Sequence, residues 1–246
     1  MADGPVPPLE RLRAARGYVF DLDGTLVLGD RNNQGLAALP GALEITRWVA
    51  RQGLPFAVFT NGTTKTPQHL ERTLAAIGFE LPGDAVLTPA SSAVAVFARR
   101  GYRRVLVLGG DGLAGPLHDA GIEVVMPDGR PVEVDAVLAG WYPEFTLPAL
   151  EVACHAVWAG ARLYSASQSL FFATAGGRLR VPLTDLVVVG DDPELEVPMA
   201  HRGRALAVAV SSGLGGPESY RHLPPERQPH LHLSGVDELL SLCDGA

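Results

Sequence analysis

Residues 17–26 read Gly-Tyr-Val-Phe-Asp-Leu-Asp-Gly-Thr-Leu, a short apolar run that leads into two acids, a glycine and a threonine. The same design returns at residues 58–62 (Val-Phe-Thr-Asn-Gly) and 188–192 (Val-Val-Gly-Asp-Asp). Each stretch predicts a buried strand that ends in small, polar or acidic residues. In open α/β sheets the ligand crevice lies outside the carboxyl ends of the strands, so we expect these three strand ends to converge.

Helix signals alternate with strand signals along the rest of the chain, which is typical of a parallel α/β sheet. Further strands are predicted at residues 105–108, 136–139, 163–166, 186–189 and 205–210, and helices at 40–52, 67–77, 113–120 and 147–159. Turn-rich pieces at 81–84 and 175–177 bracket the middle block and suggest an inserted second α/β unit. Residues 211–229 are rich in glycine, proline and histidine and are predicted to form a loop.

Composition narrows the functional classes. The net charge of -7 disfavours a general nucleic-acid binder, because such binding is mostly phosphate neutralisation by Lys and Arg. The two cysteines, Cys154 and Cys243, form no CxxC pair, so we expect no disulfide framework and no cysteine-based zinc site. Without an apolar stretch long enough for a bilayer or a signal peptide, the chain is predicted to be a soluble cytoplasmic protein that does not bind membranes.

Acidic side chains that meet at one edge of a sheet predict a metal-binding site and phosphoryl-transfer chemistry. Clustered carboxylates repel one another unless a cation sits between them, and hard oxygen ligands together with a substrate phosphate suit Mg²⁺. A carboxylate can also attack phosphorus to form an aspartyl-phosphate, while a second carboxyl two residues along exchanges protons. Thr60 and the backbone amides of the turn that follows it can hold phosphate oxygens.

The three stretches resemble motifs of the haloacid dehalogenase superfamily. Asp21 to Leu26 (DLDGTL) resembles the first motif, Thr60 to Thr63 (TNGT) the second, and Gly190 to Glu196 (GDDPELE) the fourth. With Pro40 to Ala42 (PGA) at the start of the first helix and a long insertion after TNGT, the chain looks like the NagD-like branch from about Gly17 onward.

This resemblance implies a Mg²⁺-dependent phosphatase that hydrolyses a small phosphorylated metabolite, a phosphomonoester, through an aspartyl-phosphate. Asp21 would be the nucleophile and a metal ligand. Asp23 would be the general acid and base, with its backbone carbonyl also on the metal, and Asp191 the remaining metal-ligand carboxylate. The residues implied in phosphate binding are Thr60, Asn61 and Gly62.

The resemblance also implies secondary site residues and a domain plan. A second acid in the fourth motif would be Glu196, with Asp192 as a further candidate. Residues 1–80 and 181–246 would form a Rossmann-like core, and residues 81–180 an inserted α/β cap that covers the site and selects the substrate. Since relatives often pair through their caps, a homodimer is a candidate assembly.

One departure from the family pattern concerns charge. The branch normally has a third motif, a lysine in a GKPSP-like segment before the fourth motif, and this chain has none there, because its single lysine is Lys65. Candidate substitutes are Lys65, Arg178 and Arg180, although Arg and Lys are not interchangeable at a phosphate site. A helix that the parallel crossover requires before strand 186–189 is also expected to be missing.

Other interpretations stay open at this point. The missing lysine favours a catalytically weak protein that binds a phosphorylated ligand or a partner. Gly110 to Gly115 fits G-x-G-x-x-G after a strand, which is the dinucleotide fingerprint, although Pro116 is expected to interrupt the helix that follows. Asp192 and Glu196 could equally be solvated surface charges, and an Asn-Gly pair by itself is a common turn.

Overall fold

The computed structural model describes residues 6–29, 35–141, 145–166 and 171–244, with the backbone alone at 171–174. The chain divides into two compact units. Unit 1 consists of residues 1–60, 71–86 and 172–246, and unit 2 of residues 61–70 and 87–171.

The elements alternate between helix and strand through most of the chain. In chain order they are α1 (Pro8–Arg13), β1 (Gly17–Asp21), β2 (Val27–Gly29), β3 (Leu36–Ala38), α2 (Ala42–Arg51), β4 (Phe56–Phe59), α3 (Pro67–Ala76), β5 (Val86–Leu87), α4 (Pro89–Arg100), β6 (Arg104–Leu108), α5 (Asp111–Asp119), β7 (Glu123–Val125), β8 (Ala136–Ala139), α6 (Leu147–Trp158), β9 (Arg162–Ser165), α7 (Phe171–Leu179), β10 (Leu186–Gly190), α8 (Glu196–Gly203), β11 (Leu206–Val210), α9 (Pro217–Arg221), β12 (Leu231–Leu233) and α10 (Val236–Asp244).

Unit 1 is built on a sheet whose strands follow the order β12-β11-β10-β1-β4-β5. The pairs from β12 to β4 are parallel. Strands β1, β4, β10 and β11 are buried along their whole length, as expected for a parallel sheet covered on both faces. The predicted α/β fold with a parallel-sheet core is confirmed.

Unit 2 has its own parallel sheet, in the order β7-β6-β8-β9. Side chains alternate across a strand, and β6 shows this directly. Val105 and Val107 pack with Phe97 and Leu113 in one cluster, whereas Leu106 packs in a second cluster that includes residues of α6. Helices therefore cover this sheet on both faces.

Three features of the chain differ from the sequence-based expectations. The helix expected to be missing before β10 is present as α7, and the predicted turn at 175–177 lies inside it. Gly176 lies within α7, and a Cβ there would collide with the Leu183 side chain, so this glycine serves packing rather than a turn. Helix α5 begins at Asp111 and contains Pro116 in its interior, and the predicted loop at 211–229 contains α9.

Within the residues that the structure describes, no helix combines the length and the apolar character needed to cross a membrane.

Candidate active site

Two buried acids and a buried threonine lie at one edge of the unit 1 sheet. Asp21 is the last residue of β1, Thr60 follows β4 and Asp191 follows β10. The parallel register places Phe20 opposite Val189 and Asp21 opposite Phe59, so the three strands end side by side. The exposed fractions are 5% for Asp21, 3% for Thr60 and 2% for Asp191. The predicted convergence of the strand ends is therefore observed.

The Asp21 side chain is buried near three other carboxylates. Burial raises its pKa well above the ordinary value, and the carboxylates of Glu196, Asp191 and Asp23 raise it further. A hydrogen bond from the Leu22 backbone opposes this rise without cancelling it. An ionised, buried Asp21 therefore needs a nearby positive charge.

Asp191 is held in place by the loop that follows β11. The Leu214 backbone N–H donates to Asp191 Oδ2 over 2.5 Å, and burial raises the pKa of this carboxyl. Gly24 and Gly213 lie against the carboxylate: a Cβ built on Gly213 would stand 2.6 Å from Asp191 Cγ, and one on Gly24 would stand 2.8 Å from it. Ser212 Oγ donates to the Gly24 carbonyl over 2.7 Å, which ties the two glycine segments together.

Asp23 differs from Asp21 in its exposure to solvent. It lies two residues beyond Asp21, just after β1, and its side chain is exposed. Thr60 Oγ1 donates a hydrogen bond to Asp23 Oδ2 over 3.1 Å, which links the end of β1 to the end of β4. A solvent-accessible carboxyl next to a buried one is suited to proton exchange with water or a leaving group.

Glu196 lies inside the acidic cluster, not on the surface. It is 2% exposed, and its Oε2 accepts a hydrogen bond from the Asp192 backbone over 2.7 Å. Burial raises the pKa of Glu196 to about 8. Gly190 leaves the room that the Glu196 side chain fills. The Asp192 side chain instead accepts from the Glu194 backbone over 2.8 Å, so these two candidates have different environments.

The donor set fits Mg²⁺, which proteins usually hold by one or two carboxylates while waters and substrate phosphate complete its shell. Among the described residues, no group of three or more His, Cys, Asp or Glu side chains is placed so that it could hold a metal ion. A cation at this edge would therefore be held by Asp21 and Asp191, with oxygens of other kinds. Among the atoms of the described residues, Glu196 Oε1 and the Tyr220 hydroxyl oxygen are buried and have no hydrogen-bond partner.

The candidate substitutes for the third-motif lysine have the following surroundings. Arg178 Nη2 pairs with Asp84 Oδ2 at 3.7 Å, and Arg180 is exposed at the end of α7 with a φ of 55°. Lys65 belongs to unit 2 and is partly exposed. The neighbouring side-chain charges that act on Asp21 are all carboxylates. Within the described part of unit 1, neither Arg178 nor Arg180 is thus among the charges that shift the pKa of Asp21.

Asn61 and Gly62 are both exposed and directly follow Thr60 in the chain. They begin the 61–70 segment that clusters with unit 2. Their predicted role in phosphate binding stays a prediction.

The dinucleotide fingerprint is explained by packing within unit 2. A Cβ on Gly112 would stand 2.6 Å from Lys65 N and 2.6 Å from Thr64 C, and it would also collide with the Thr63 carbonyl oxygen. The chain's own backbone therefore occupies the space beside Gly112 where the fingerprint would admit a pyrophosphate. A Cβ on Gly110, by contrast, would meet nothing within 4 Å.

The loop after β11 holds the site residues that the sequence reasoning missed. Its members at the site are Ser212, Gly213 and Leu214, and Tyr220 follows in α9. Because β11 pairs in parallel with β10, the carboxyl end of β11 lies beside Asp191, which follows β10. The small residues that follow this strand were the available signal.

Comparisons with known proteins relate part of the chain to one family of hydrolases. A family model described as haloacid dehalogenase-like hydrolase matches residues 18–123. The acid sugar phosphatase of Staphylococcus haemolyticus is 31% identical over 151 residues, which cover 61% of this chain and 54% of that protein. The chain matches about half the length of this and similar curated relatives.

Two solved structures share the fold. NagD from Escherichia coli superposes with a TM-score of 0.80 at 20% identity, covering 91% of this chain and 98% of that one. The glycerol phosphate phosphatase of Mycobacterium tuberculosis in complex with magnesium gives a TM-score of 0.68 at 20% identity, covering 89% of this chain and 74% of that one.

Proposed function

Because the chain belongs to the haloacid dehalogenase-like hydrolases of the NagD-like branch, we propose that it is a Mg²⁺-dependent phosphatase acting on a small phosphomonoester. The observation that carries this proposal is the buried Asp21–Asp191 pair at the ends of adjacent parallel strands, with Thr60 on the other side of Asp21. The phosphatases among its relatives and the magnesium in a structure of the same fold support it.

In the proposed reaction, Asp21 is the nucleophile. Its carboxylate oxygen attacks phosphorus while the bond to the leaving oxygen breaks, and Asp23 gives its proton to that oxygen. Asp23 then takes a proton from water, which attacks the aspartyl-phosphate, releases inorganic phosphate and restores Asp21. The exposure of Asp23 and the burial of Asp21 match these two roles.

Mg²⁺, when bound, would neutralise the charge that two carboxylates and a phosphate bring together. Asp21 and Asp191 would hold it, together with the backbone carbonyl of Asp23. Burial and the neighbouring carboxylates raise the pKa of Asp21, so a cation bound beside it would favour the ionised form that acts as the nucleophile. Thr60, Asn61 and Gly62 would hold the phosphate oxygens.

Residues 81–180 would act as a cap over this core of residues 1–80 and 181–246, and would select the substrate. We propose a small phosphorylated metabolite as that substrate and a homodimer as the assembly.

The test is phosphate release from p-nitrophenyl phosphate with Mg²⁺ or with EDTA. Wild-type protein should turn over only with Mg²⁺, and Asp21→Asn should lose activity by a factor of 10³ or more, on the order of what removal of a nucleophile costs. Asp185→Asn is the matched control. Asp185 lies just before the start of β10, at the end opposite to Asp191, and it pairs with Arg16, so this substitution should leave activity unchanged. Turnover by Asp21→Asn would contradict the proposal.

A second candidate is a protein of the same fold that binds a phosphorylated ligand with little turnover. The observation in its favour is that, among the described residues, the charges that shift the pKa of Asp21 are carboxylates, while Arg178 is paired with Asp84. It predicts that Mg²⁺ with vanadate raises the melting temperature while phosphate release stays at background.

A further inference from the structure

Two buried polar atoms of unit 1 have no hydrogen-bond partner among the described residues. They are the hydroxyl oxygen of Tyr220 in α9 and Oε1 of Glu196 in α8. Tyr220 is 4% exposed, and Glu196 is buried as well. Glu196 Oε2 accepts from the Asp192 backbone, so Oε1 is the oxygen of this carboxyl that still needs a partner. Buried polar atoms are nearly always hydrogen-bonded to protein or to ordered water, and we therefore expect a partner for both.

The Tyr220 hydroxyl lies beside the acidic cluster. Burial raises the pKa of Tyr220, and nearby carboxylates, Glu196 first among them, raise it further, so this hydroxyl keeps its proton and can donate. A Cβ on Gly215 would stand 3.0 Å from the Tyr220 hydroxyl oxygen and would collide with the Asp191 backbone carbonyl oxygen. The missing side chain of Gly215 therefore leaves the hydroxyl close to the backbone of Asp191.

The ring of Tyr220 is held from the side of β12. It meets the ring of His232 edge to face, with the ring centroids 5.2 Å apart. Ser211 Oγ and His232 Nε2 share a hydrogen bond over 2.9 Å, and Ser211 directly follows β11. An edge-to-face pair stabilises one orientation of both rings. Since the hydroxyl oxygen moves with its ring, these contacts also fix the place of the hydroxyl.

We propose that Tyr220 is a positioning residue that holds the Glu196 carboxyl through one buried water, an inference that rests on the proposed function for its effect on Mg²⁺. A buried water needs about two to four polar partners. The Tyr220 hydroxyl donates to this water, and the other partners are Glu196 Oε1 and the Asp191 backbone carbonyl oxygen. Because water both donates and accepts, it satisfies Oε1 whether or not that oxygen carries a proton.

The position of Glu196 affects the candidate nucleophile. Among the carboxylates that raise the pKa of Asp21, Glu196 has the largest effect. A fixed Glu196 thus keeps a negative charge in a constant place beside the site where a cation would bind. Groups that orient the surroundings of a metal contribute to its affinity without contacting it. Loss of the Tyr220 hydroxyl should therefore weaken Mg²⁺ binding.

The structural test is a crystal structure of the wild-type protein, grown in EDTA and resolved well enough to show ordered waters. We expect one water within about 3.2 Å of both the Tyr220 hydroxyl oxygen and Glu196 Oε1. A direct hydrogen bond from Tyr220 to a protein acceptor, or no water bonded to both atoms, would overturn the inference.

The binding test is isothermal titration of Mg²⁺ into metal-free wild type and Tyr220→Phe, which keeps the ring and removes only the hydroxyl. We expect Tyr220→Phe to bind Mg²⁺ about tenfold more weakly, as the loss of an outer partner of a metal site does. Tyr18→Phe is the matched control. Tyr18 is also buried, but it lies near the start of β1, with its hydroxyl 3.7 Å from Cys243 Sγ, so this variant should bind Mg²⁺ as wild type does.

The two tests separate this inference from the proposed function. If the wild type binds Mg²⁺ and Tyr220→Phe binds it equally well, the positioning role is overturned. If the wild type neither binds Mg²⁺ nor releases phosphate, the proposed function fails, and the wild-type crystal structure then decides whether Tyr220 holds Glu196 through a water.

Discussion

Substitution of Gly213 tests whether the position of Asp191 controls cation binding. A Cβ at this position would stand 2.6 Å from Asp191 Cγ and 2.8 Å from Gly24 Cα. Ordinary carbon–carbon contacts begin near ~3.5 Å, so in Gly213→Ala the Asp191 carboxyl must move by about 1 Å. Metal ligands have to keep their distances within about 0.2 Å, so this movement takes Asp191 out of the coordination shell.

The size of the effect follows from that displacement. Changes that misplace a ligand through its surroundings usually weaken metal affinity about 10–100-fold, and we expect Gly213→Ala to lose at least that much Mg²⁺ affinity. Gly213→Ala should lower the free energy of unfolding by about 1–3 kcal/mol. The Asp191 carboxylate can rotate away from the new methyl group, but the backbone at Gly24 also has to move.

The assay is isothermal titration of Mg²⁺ into the metal-free protein, with urea unfolding in parallel. Gly216→Ala is the matched control in the same loop, since a Cβ there meets nothing within 4 Å. It should bind Mg²⁺ as wild type does. Equal Mg²⁺ affinity in Gly213→Ala and Gly216→Ala would refute the assignment of Asp191 to the cation.

Three further predictions concern stability and are measured by urea unfolding. Burial raises the pKa of Glu196 to about 8, so in EDTA this residue should contribute a fall in the free energy of unfolding as pH rises from 4.5 to about 8, by at most about 1.4 kcal/mol per pH unit; the contribution is the difference in slope between wild type and Glu196→Gln, and equal slopes would contradict the burial of its charge. Burial lowers the pKa of His230 to about 4, so this residue should contribute the opposite slope, a fall in stability as pH drops from 6.5 to 4, by less than about 1.4 kcal/mol per pH unit since the ring is partly solvated; equal slopes in wild type and His230→Gln over that range would count against it. Gly112→Ala should destabilise by about 2 kcal/mol, since overpacking against backbone outweighs the gain in helix propensity, whereas Gly110→Ala should stay within about 1 kcal/mol of wild type; equal stabilities would show that the backbone contact is absent.

The strands that carry the site could be predicted because sequence pattern and fold agree there. A continuous apolar run followed by polar or acidic residues specifies both a buried parallel strand and its functional end. Strand β10 is found at Leu186–Gly190, against the predicted 186–189, and β1 and β4 end inside the stretches 17–26 and 58–62. The general rule on strand ends then placed Asp21, Thr60 and Asp191 together without knowledge of tertiary contacts.

Glycines account for much of what the sequence could not settle. Gly176 and Gly112 look like turn or ligand-binding residues by local chemistry, yet each lies in a helix against a neighbour that approaches closely. Such a role depends on the tertiary partner, which is Leu183 in one case and the backbone of residues 63–65 in the other. Glu196 shows the same limit, because its spacing alone did not distinguish a surface charge from the buried acid that it is.

The most direct measurement of the central claim is the mass of the Asp21 peptide after a single turnover. Protein mixed with p-nitrophenyl phosphate and Mg²⁺, quenched in acid and digested, should carry one phosphoryl group on the peptide that contains Asp21. The group should be missing in EDTA and in Asp21→Asn. Phosphate release at the wild-type rate, with every Asp21 peptide unmodified through the time course, would contradict the account.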